Sequence, residues 1–273
     1  MKIFYFSGTG NTKYVSEYLS DALNKKGMAN QTVDIACLSD NEISTLVKNS
    51  ESLFLAYPIY GSDMPENMKR FIEIMPQAQG KKLGVVCTQM AFSGDGASIE
   101  FKKLKNKGYK QMWGFQVNMP NNLCIQGSPL KQCDDYAIIE KKYLKKARAK
   151  LDAYADLIIA DKRKVTDNSF LNHFIALSQR PLYRKYVLKN EISKLGIDED
   201  KCNQCGLCAD LCPNGVIEKG EKVAFGDRTK CTLCIRCMNF CPSQAVVYRG
   251  KIKLPQYKGP TKDVYHRMIS KKE

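Results

Sequence analysis

The sequence predicts an α/β protein: a doubly wound, five-stranded parallel sheet followed by a small α+β module built around cysteines. Three observations carry this expectation. Short apolar runs alternate with stretches of helical periodicity over the first 160 residues. A glycine-rich hexapeptide sits at the first strand-to-helix turn. Eight of the twelve cysteines fall between residues 202 and 241, in two copies of one spacing.

Residues 2–6 form an apolar run ending in Ser7-Gly8-Thr9-Gly10-Asn11-Thr12, after which Val15, Tyr18, Leu19 and Leu23 recur at helical spacing. Further strands are expected at 31–36, 52–57, 82–87 and 111–117, with helices near 41–48, 64–73, 97–107 and 136–161. The connection from Asn118 to Asp135 is long and irregular, and loops of that length are often functional. Composition changes at the charge run Asp161-Lys162-Arg163-Lys164, and Pro181 divides the following apolar and basic stretch into two expected short helices. The expected organisation is a first domain over 1–160, a basic helical linker over 161–196, a cysteine module over 197–250, and a polar, basic tail over 251–273 that is partly disordered.

A chain of 273 residues, 44% hydrophobic, has material for one domain of about 150 residues and a smaller module. No run approaches the roughly 18 to 20 apolar residues of a membrane helix, and the glycine loop comes too early for a signal peptide. The expectation is a soluble, cytoplasmic chain. The formal charge of +15 is uneven: 198–250 carries seven residues of each sign, while the excess gathers in 161–197 and 251–273. Neither basic segment holds a nucleic-acid motif, so a solvated surface, or docking of an acidic redox protein, explains the charge better than nucleic acid. His173 and His266 are the only histidines, too little material for a histidine-based hydrolase. Outside the repeat, Cys37 and Cys87 read as strand-end core residues, and Cys124 and Cys133 as free thiols.

Cys202-x-x-Cys205-x-x-Cys208-x-x-x-Cys212-Pro213 recurs as Cys231-x-x-Cys234-x-x-Cys237-x-x-x-Cys241-Pro242. Three thiolates two residues apart can wrap one face of a cubane cluster, whereas a zinc-ribbon pair brings two Cys-x-x-Cys knuckles a dozen or more residues apart. The run resembles that of bacterial two-cluster ferredoxins, as do the flanking Asn214-Gly215-Val216-Ile217 and Ser243-Gln244-Ala245-Val246. The resemblance implies two [4Fe-4S] clusters, the first on Cys202, Cys205, Cys208 and Cys241, the second on Cys231, Cys234, Cys237 and Cys212.

The hexapeptide Ser7 to Thr12 lacks the third glycine of a dinucleotide loop and the Gly-Lys of a triphosphate loop. Its place before a helix N-terminus suits a phosphate. Taken whole, Ser7, Gly8, Thr9, Gly10, Asn11 and Thr12 resemble the FMN phosphate loop of flavodoxins. That resemblance implies that the loops after the third and fourth strands hold the flavin ring. There stand Pro58, Ile59, Tyr60 and Gly61, and Thr88, Gln89, Met90, Phe92 and Gly94; Tyr60 can stack on the ring, and Phe92 or Met90 can cover an edge. Tyr57, Tyr60 and Phe92 have an alternative as packing residues.

Together the halves resemble the flavodoxin and ferredoxin fusions of anaerobic bacteria and archaea. The implied function is electron transfer between FMN, two clusters and an external redox partner. Two other readings stay open: an FMN-dependent reductase of a small acceptor such as a quinone or conjugated double bond, and a redox sensor whose basic tail meets nucleic acid.

Overall fold

Six strands, β1 (Lys2–Tyr5), β2 (Gln31–Asp34), β3 (Ser52–Pro58), β4 (Lys82–Gln89), β5 (Lys110–Asn118) and β6 (Lys164–Val165), form one sheet in the order β2-β1-β3-β4-β5-β6. Every pairing is parallel. The computed structural model describes residues 1–61, 63–90, 94–123, 135–166, 180–181, 188–252 and 255–270. The sixth strand corrects the expected five. It is two residues long, pairing with Trp113 and Gly114, and so leaves no apolar run to detect. Its charged Lys164 suits a sheet edge.

Contacts divide the chain into two units. The first holds Met1–Ser7, Asn11–Met119 and Lys142–Pro181, and the second holds Gly8–Gly10, Pro120–Lys141 and Leu182–Glu273. The first unit extends past residue 160. Most of the segment expected to form helices around Pro181 lies in 167–179 and 182–187, outside the described residues.

Helices α1 (Asn11–Lys25), α2 (Asp40–Lys48), α3 (Glu66–Ile74) and α4 (Phe101–Asn106) connect the strands. The helix expected over 97–107 is split into a 3-10 turn, Gly96–Ser98, and α4. Glu100 between them has φ 59°, a left-handed conformation that cannot continue a right-handed helix. Later come α5 (Tyr136–Ile139) and α6 (Lys145–Ile159), joined by a π turn over Glu140–Leu144.

The core follows from strands covered on both faces, which read as continuous apolar runs rather than alternating ones. Leu53, Phe54, Leu55, Ala56 and Tyr57 are all fully buried. Phe4 meets Phe71 of α3, with ring centroids 4.9 Å apart, while Phe115 stacks on Tyr154 of α6 at 3.7 Å, so each face of the sheet carries its own aromatic contact. Phe54 lies over Gly84 and stacks toward Trp113 at 6.3 Å; a Cβ on Gly84 would come within 2.0 Å of the Phe54 ring. Gly84→Ala should therefore cost about 1–3 kcal/mol through overpacking. A fall in the denaturant midpoint at unchanged slope would show it.

In the second unit, β7 (Leu195–Ile197) pairs antiparallel with β10 (Val246–Tyr248), and β8 (Ile217–Lys219) with β9 (Val223–Phe225). Helices α7 (Lys189–Ser193), α8 (Leu207–Asp210), α9 (Arg236–Phe240) and α10 (Lys262–Ile269) belong to the same unit. The 29-residue repeat of the cysteines is a repeat of backbone too. Positive φ recurs at Gln204 and Leu233, Gly206 and Ile235, Gly215 and Gln244, and β8 maps onto β10. Ile235 is a β-branched residue held left-handed at φ 50°, a strain of about 1–3 kcal/mol that the repeat imposes and its buried packing offsets.

The tail, expected to be partly disordered, is folded over its described residues 255–270. Gln256 donates to the carbonyls of Met238 (2.6 Å) and Cys241 (2.9 Å), Tyr257 is fully buried, and Thr261 caps α10 by accepting from the Val264 N–H. An amphipathic turn with Val264 and Met268 buried outweighs the polar average of the segment. Among the described residues no helix is long and apolar enough to cross a membrane.

Candidate functional site

The hexapeptide leaves β1 at its carboxyl end and enters α1 at Asn11. Every residue from Ser7 to Thr12 is buried. No acidic side chain stands in the first turn of α1, so the positive end of its dipole is not neutralised from within. Thr12 shares a 2.8 Å hydroxyl hydrogen bond with Thr88, which ties the start of α1 to the end of β4 in the first unit. The tip of the loop is held within the second unit. Gly8 O accepts from Arg236 Nε at 2.9 Å, and Thr9 Oγ1 accepts from Asn122 Nδ2 at 2.7 Å, which leaves the threonine proton to donate elsewhere. Gly10 has φ 98°, and a Cβ there would stand 2.7 Å from Val264 of α10. Both the conformation and the close approach demand glycine.

The expected ring loops are closely built. Ile59 N–H donates to Thr88 O at 2.9 Å, and Tyr60 and Asp63 exchange backbone bonds of 2.9 and 3.1 Å around Gly61 at φ 56°. Pro58, Ile59 and Tyr60 are half-buried and Met90 is 39% exposed. Gln89 Nε2 donates to Asn118 Oδ1 at 3.0 Å, and Gly94 is buried at φ 65°. Phe92 lies outside the described residues. Tyr57 is a packing residue: fully buried, its hydroxyl donates to Gly96 O at 2.7 Å, and burial raises its pKa well above the ordinary phenol value.

Sequence reading missed a buried ion network behind these loops. Arg180 pairs with Asp95 and places its Nε 4.0 Å from Asp63, while Lys69 reaches Asp63 at 2.7 Å and Glu66 at 2.6 Å. Asp63, Asp95, Lys69 and Arg180 are all at most 9% exposed. By sequence Arg180 belongs to the basic excess of 161–197, and charge counting alone carries no sign that one member is buried.

The cysteines gather in two sets. Cys212, Cys231, Cys234 and Cys237 line one pocket together with Pro213, Thr232 and Arg236. Cys241 neighbours Cys208, and burial followed by the Cys241, Cys205 and Cys202 thiols pushes Cys208 up to about 11. Burial likewise raises Cys231 to about 11 and Cys237 well above the ordinary thiol value. Crowded buried thiols do not ionise unaided, and a bound cation supplies the charge that makes them thiolates. Backbone N–H groups already point at the sulfurs: Val216 to Cys212 at 3.2 Å, Ala245 to Cys241 at 3.3 Å and Leu233 to Cys231 at 3.4 Å. The first two are equivalent positions of the repeat. Among the described residues no three His, Cys, Asp or Glu groups converge as one chelated ion requires; a cubane, with one thiolate per iron, has no such requirement. The donor set fits iron-sulfur ligation.

Of the remaining cysteines, Cys87 is buried in β4, but Cys37 is exposed, since the strand expected to 36 ends at Asp34 and a 3-10 turn follows. Cys124 and Cys133 fall outside the described residues.

Residues 2–123 match the family described as Flavodoxin domain, and residues 195–218 match the 4Fe-4S binding domain. The chain joins a flavodoxin domain to a ferredoxin-type 4Fe-4S part. Two relatives align with the flavodoxin side. "Putative diflavin flavoprotein A 6" of Nostoc sp. is 26% identical over 151 residues, and "Putative diflavin flavoprotein A 4" of Synechocystis sp. is 27% identical over 128. The alignments take in 54% and 46% of this chain but only 25% and 20% of those proteins. Among solved structures, a Streptococcus flavodoxin superposes with TM-score 0.41 at 16% identity, over 58% of this chain and 97% of its own. Two-electron reduced Megasphaera elsdenii flavodoxin gives 0.39 at 18%, over 57% and 98%.

Proposed function

We propose that the flavodoxin-ferredoxin chain is an electron-transfer protein that binds FMN at Ser7–Thr12 and the loops 58–61 and 88–94, and two [4Fe-4S] clusters on its eight repeat cysteines. The observation that supports it best is that Cys212 lines one pocket with Cys231, Cys234 and Cys237, while Cys241 is the thiol that acts most on Cys208. When bound, the clusters pass single electrons and the flavin takes or gives one or two, so the pair converts between one- and two-electron partners. The chain's residues set where that happens. Cys205 is exposed, so the set of Cys202, Cys205, Cys208 and Cys241 is where an external redox protein would approach. None of Cys212, Cys231, Cys234 and Cys237 is exposed, and Cys234 is buried. Lys201, Lys219, Lys222 and Lys230 each pair with an acid of the same module, so an acidic partner would be drawn by the basic 161–197 and 251–273 segments and not by the rim of the clusters.

An anaerobic preparation with iron, acid-labile sulfide and flavin quantified together tests the reading. About eight iron, eight sulfide and one FMN per chain are expected. Zinc without labile sulfide would overturn the clusters, and full clusters that never take up added FMN would overturn the flavin half.

A further inference from the structure

The second unit joins the tip of the glycine loop to one cluster site through a single short helix. Arg236, the first residue of α9, is 8% exposed; its Nε donates to Gly8 O at 2.9 Å and its Nη1 to Leu211 O at 3.0 Å, the carbonyl just before Cys212. Arg236 is also among the residues that line the pocket of Cys212, Cys231, Cys234 and Cys237. One turn on, the fully buried Asn239 donates to Asn122 O at 3.0 Å, and Asn122 in turn donates to the Thr9 hydroxyl. Asn239 is itself fixed, accepting from Tyr257 N–H at 2.9 Å. Between Arg236 and Asn239 stands Cys237.

The repeat supplies a comparison inside the molecule. Twenty-nine residues before Arg236, at the matching start of α8, stands Leu207, so the first cysteine run has no cation at that place. A fixed buried positive charge favours the more negative, reduced form of a neighbouring centre, and in a poorly hydrated setting its field is weakly screened. The two cysteine runs therefore differ in charge at this matching position. The hydrogen bond to Gly8 has a second effect. A trans peptide points its C=O and the following N–H in opposite directions, so holding Gly8 O directs the Thr9 N–H away from the guanidinium.

We propose that Arg236 is a positioning residue that makes the Cys212, Cys231, Cys234 and Cys237 centre the more easily reduced of the two and couples its reduction to phosphate binding at the glycine loop. This rests on the FMN and two-cluster reading above. Coupling of this kind is reciprocal: loading the loop shifts the potential of that centre, and reducing the centre shifts FMN affinity by the same factor.

The test is a redox titration of the full anaerobic protein, followed by electron paramagnetic resonance, with FMN bound and after its removal, alongside FMN affinity from flavin fluorescence. Two separate potentials are expected in the native chain, the higher one moving when FMN is added. Arg236→Met should lower that one potential so that the oxidised-to-reduced ratio changes about tenfold, about 59 mV for one electron, leaving the other in place. Arg236→Lys keeps the charge and should keep the FMN-free potential while losing the response to FMN. Asn122→Ala, which touches no cluster charge, should also leave the FMN-free potentials alone and reduce the response. Unmoved potentials in Arg236→Met with iron intact, or a full FMN response in both Arg236→Lys and Asn122→Ala, would overturn the proposal. Iron near four per chain in the native protein would defeat the two-cluster reading itself, and this inference with it.

Discussion

Replacing Arg180 by methionine is expected to destabilise the first unit by about 3–5 kcal/mol, the cost of stripping one partner from a buried ion pair. The guanidinium and the Asp95 carboxylate are 10% and 4% exposed as side chains, and Asp63, on the far side of the guanidinium, is equally buried. Methionine fills similar space but leaves those carboxylates short of positive charge, with Lys69 as the cation still on Asp63. Asp95→Asn in the Arg180→Met background should recover part of the loss, because the uncompensated charge is what costs most. Denaturant melts of the four proteins close the cycle. A loss below about 1 kcal/mol would mean that water serves the network as well as arginine does. Asp63 follows the loop of Pro58 to Gly61 and Asp95 follows that of Thr88 to Gly94, so the arginine also fixes the two segments proposed to hold the flavin ring. FMN affinity should therefore fall in Arg180→Met at temperatures where the sheet is still folded.

The cysteine sets predict a pattern that crosses the two runs. Cys212→Ala should remove the same centre as Cys231→Ala, and Cys241→Ala the same centre as Cys202→Ala, each leaving about four of eight irons. Paired visible and paramagnetic spectra read the outcome directly. If Cys212→Ala instead leaves the spectrum of Cys202→Ala, each run keeps its own fourth ligand and the crossed assignment fails. Crossing is the better expectation because Cys212 lines the pocket of the second run and, among the thiols, Cys241 raises Cys208 most.

Much of this was legible in one dimension because the signals are local. A strand covered on both faces writes itself as an apolar run such as Leu53 to Tyr57, a helix as a 3.6-residue period, and a cubane site as thiols at fixed short gaps. The glycine loop is legible for the same reason, because its residue types fall in one short stretch, although Arg236 and Asn122 hold its tip from far along the chain. Where the expectation missed, the deciding contact was distant in sequence. Lys164–Val165 is a strand only because β5 offers Trp113 and Gly114 as partners. The tail folds because Gln256, Tyr257 and Val264 find α9 and Gly10, although its composition is that of a solvated segment.

The class of the molecule is written in the order of its residues: a parallel α/β sheet with a phosphate-type loop, and a doubled cysteine run of ferredoxin spacing. What each charged residue is for emerges from its contacts in the folded chain. Arg180 and Arg236 look alike in a charge count, yet one closes a buried network on Asp95 and Asp63, and the other holds Gly8 beside the cysteines of one half of the repeat. A charge is read in sequence as a sign alone. Its energy depends on burial and on partners tens or hundreds of residues away, and those distances exist only once the chain has folded.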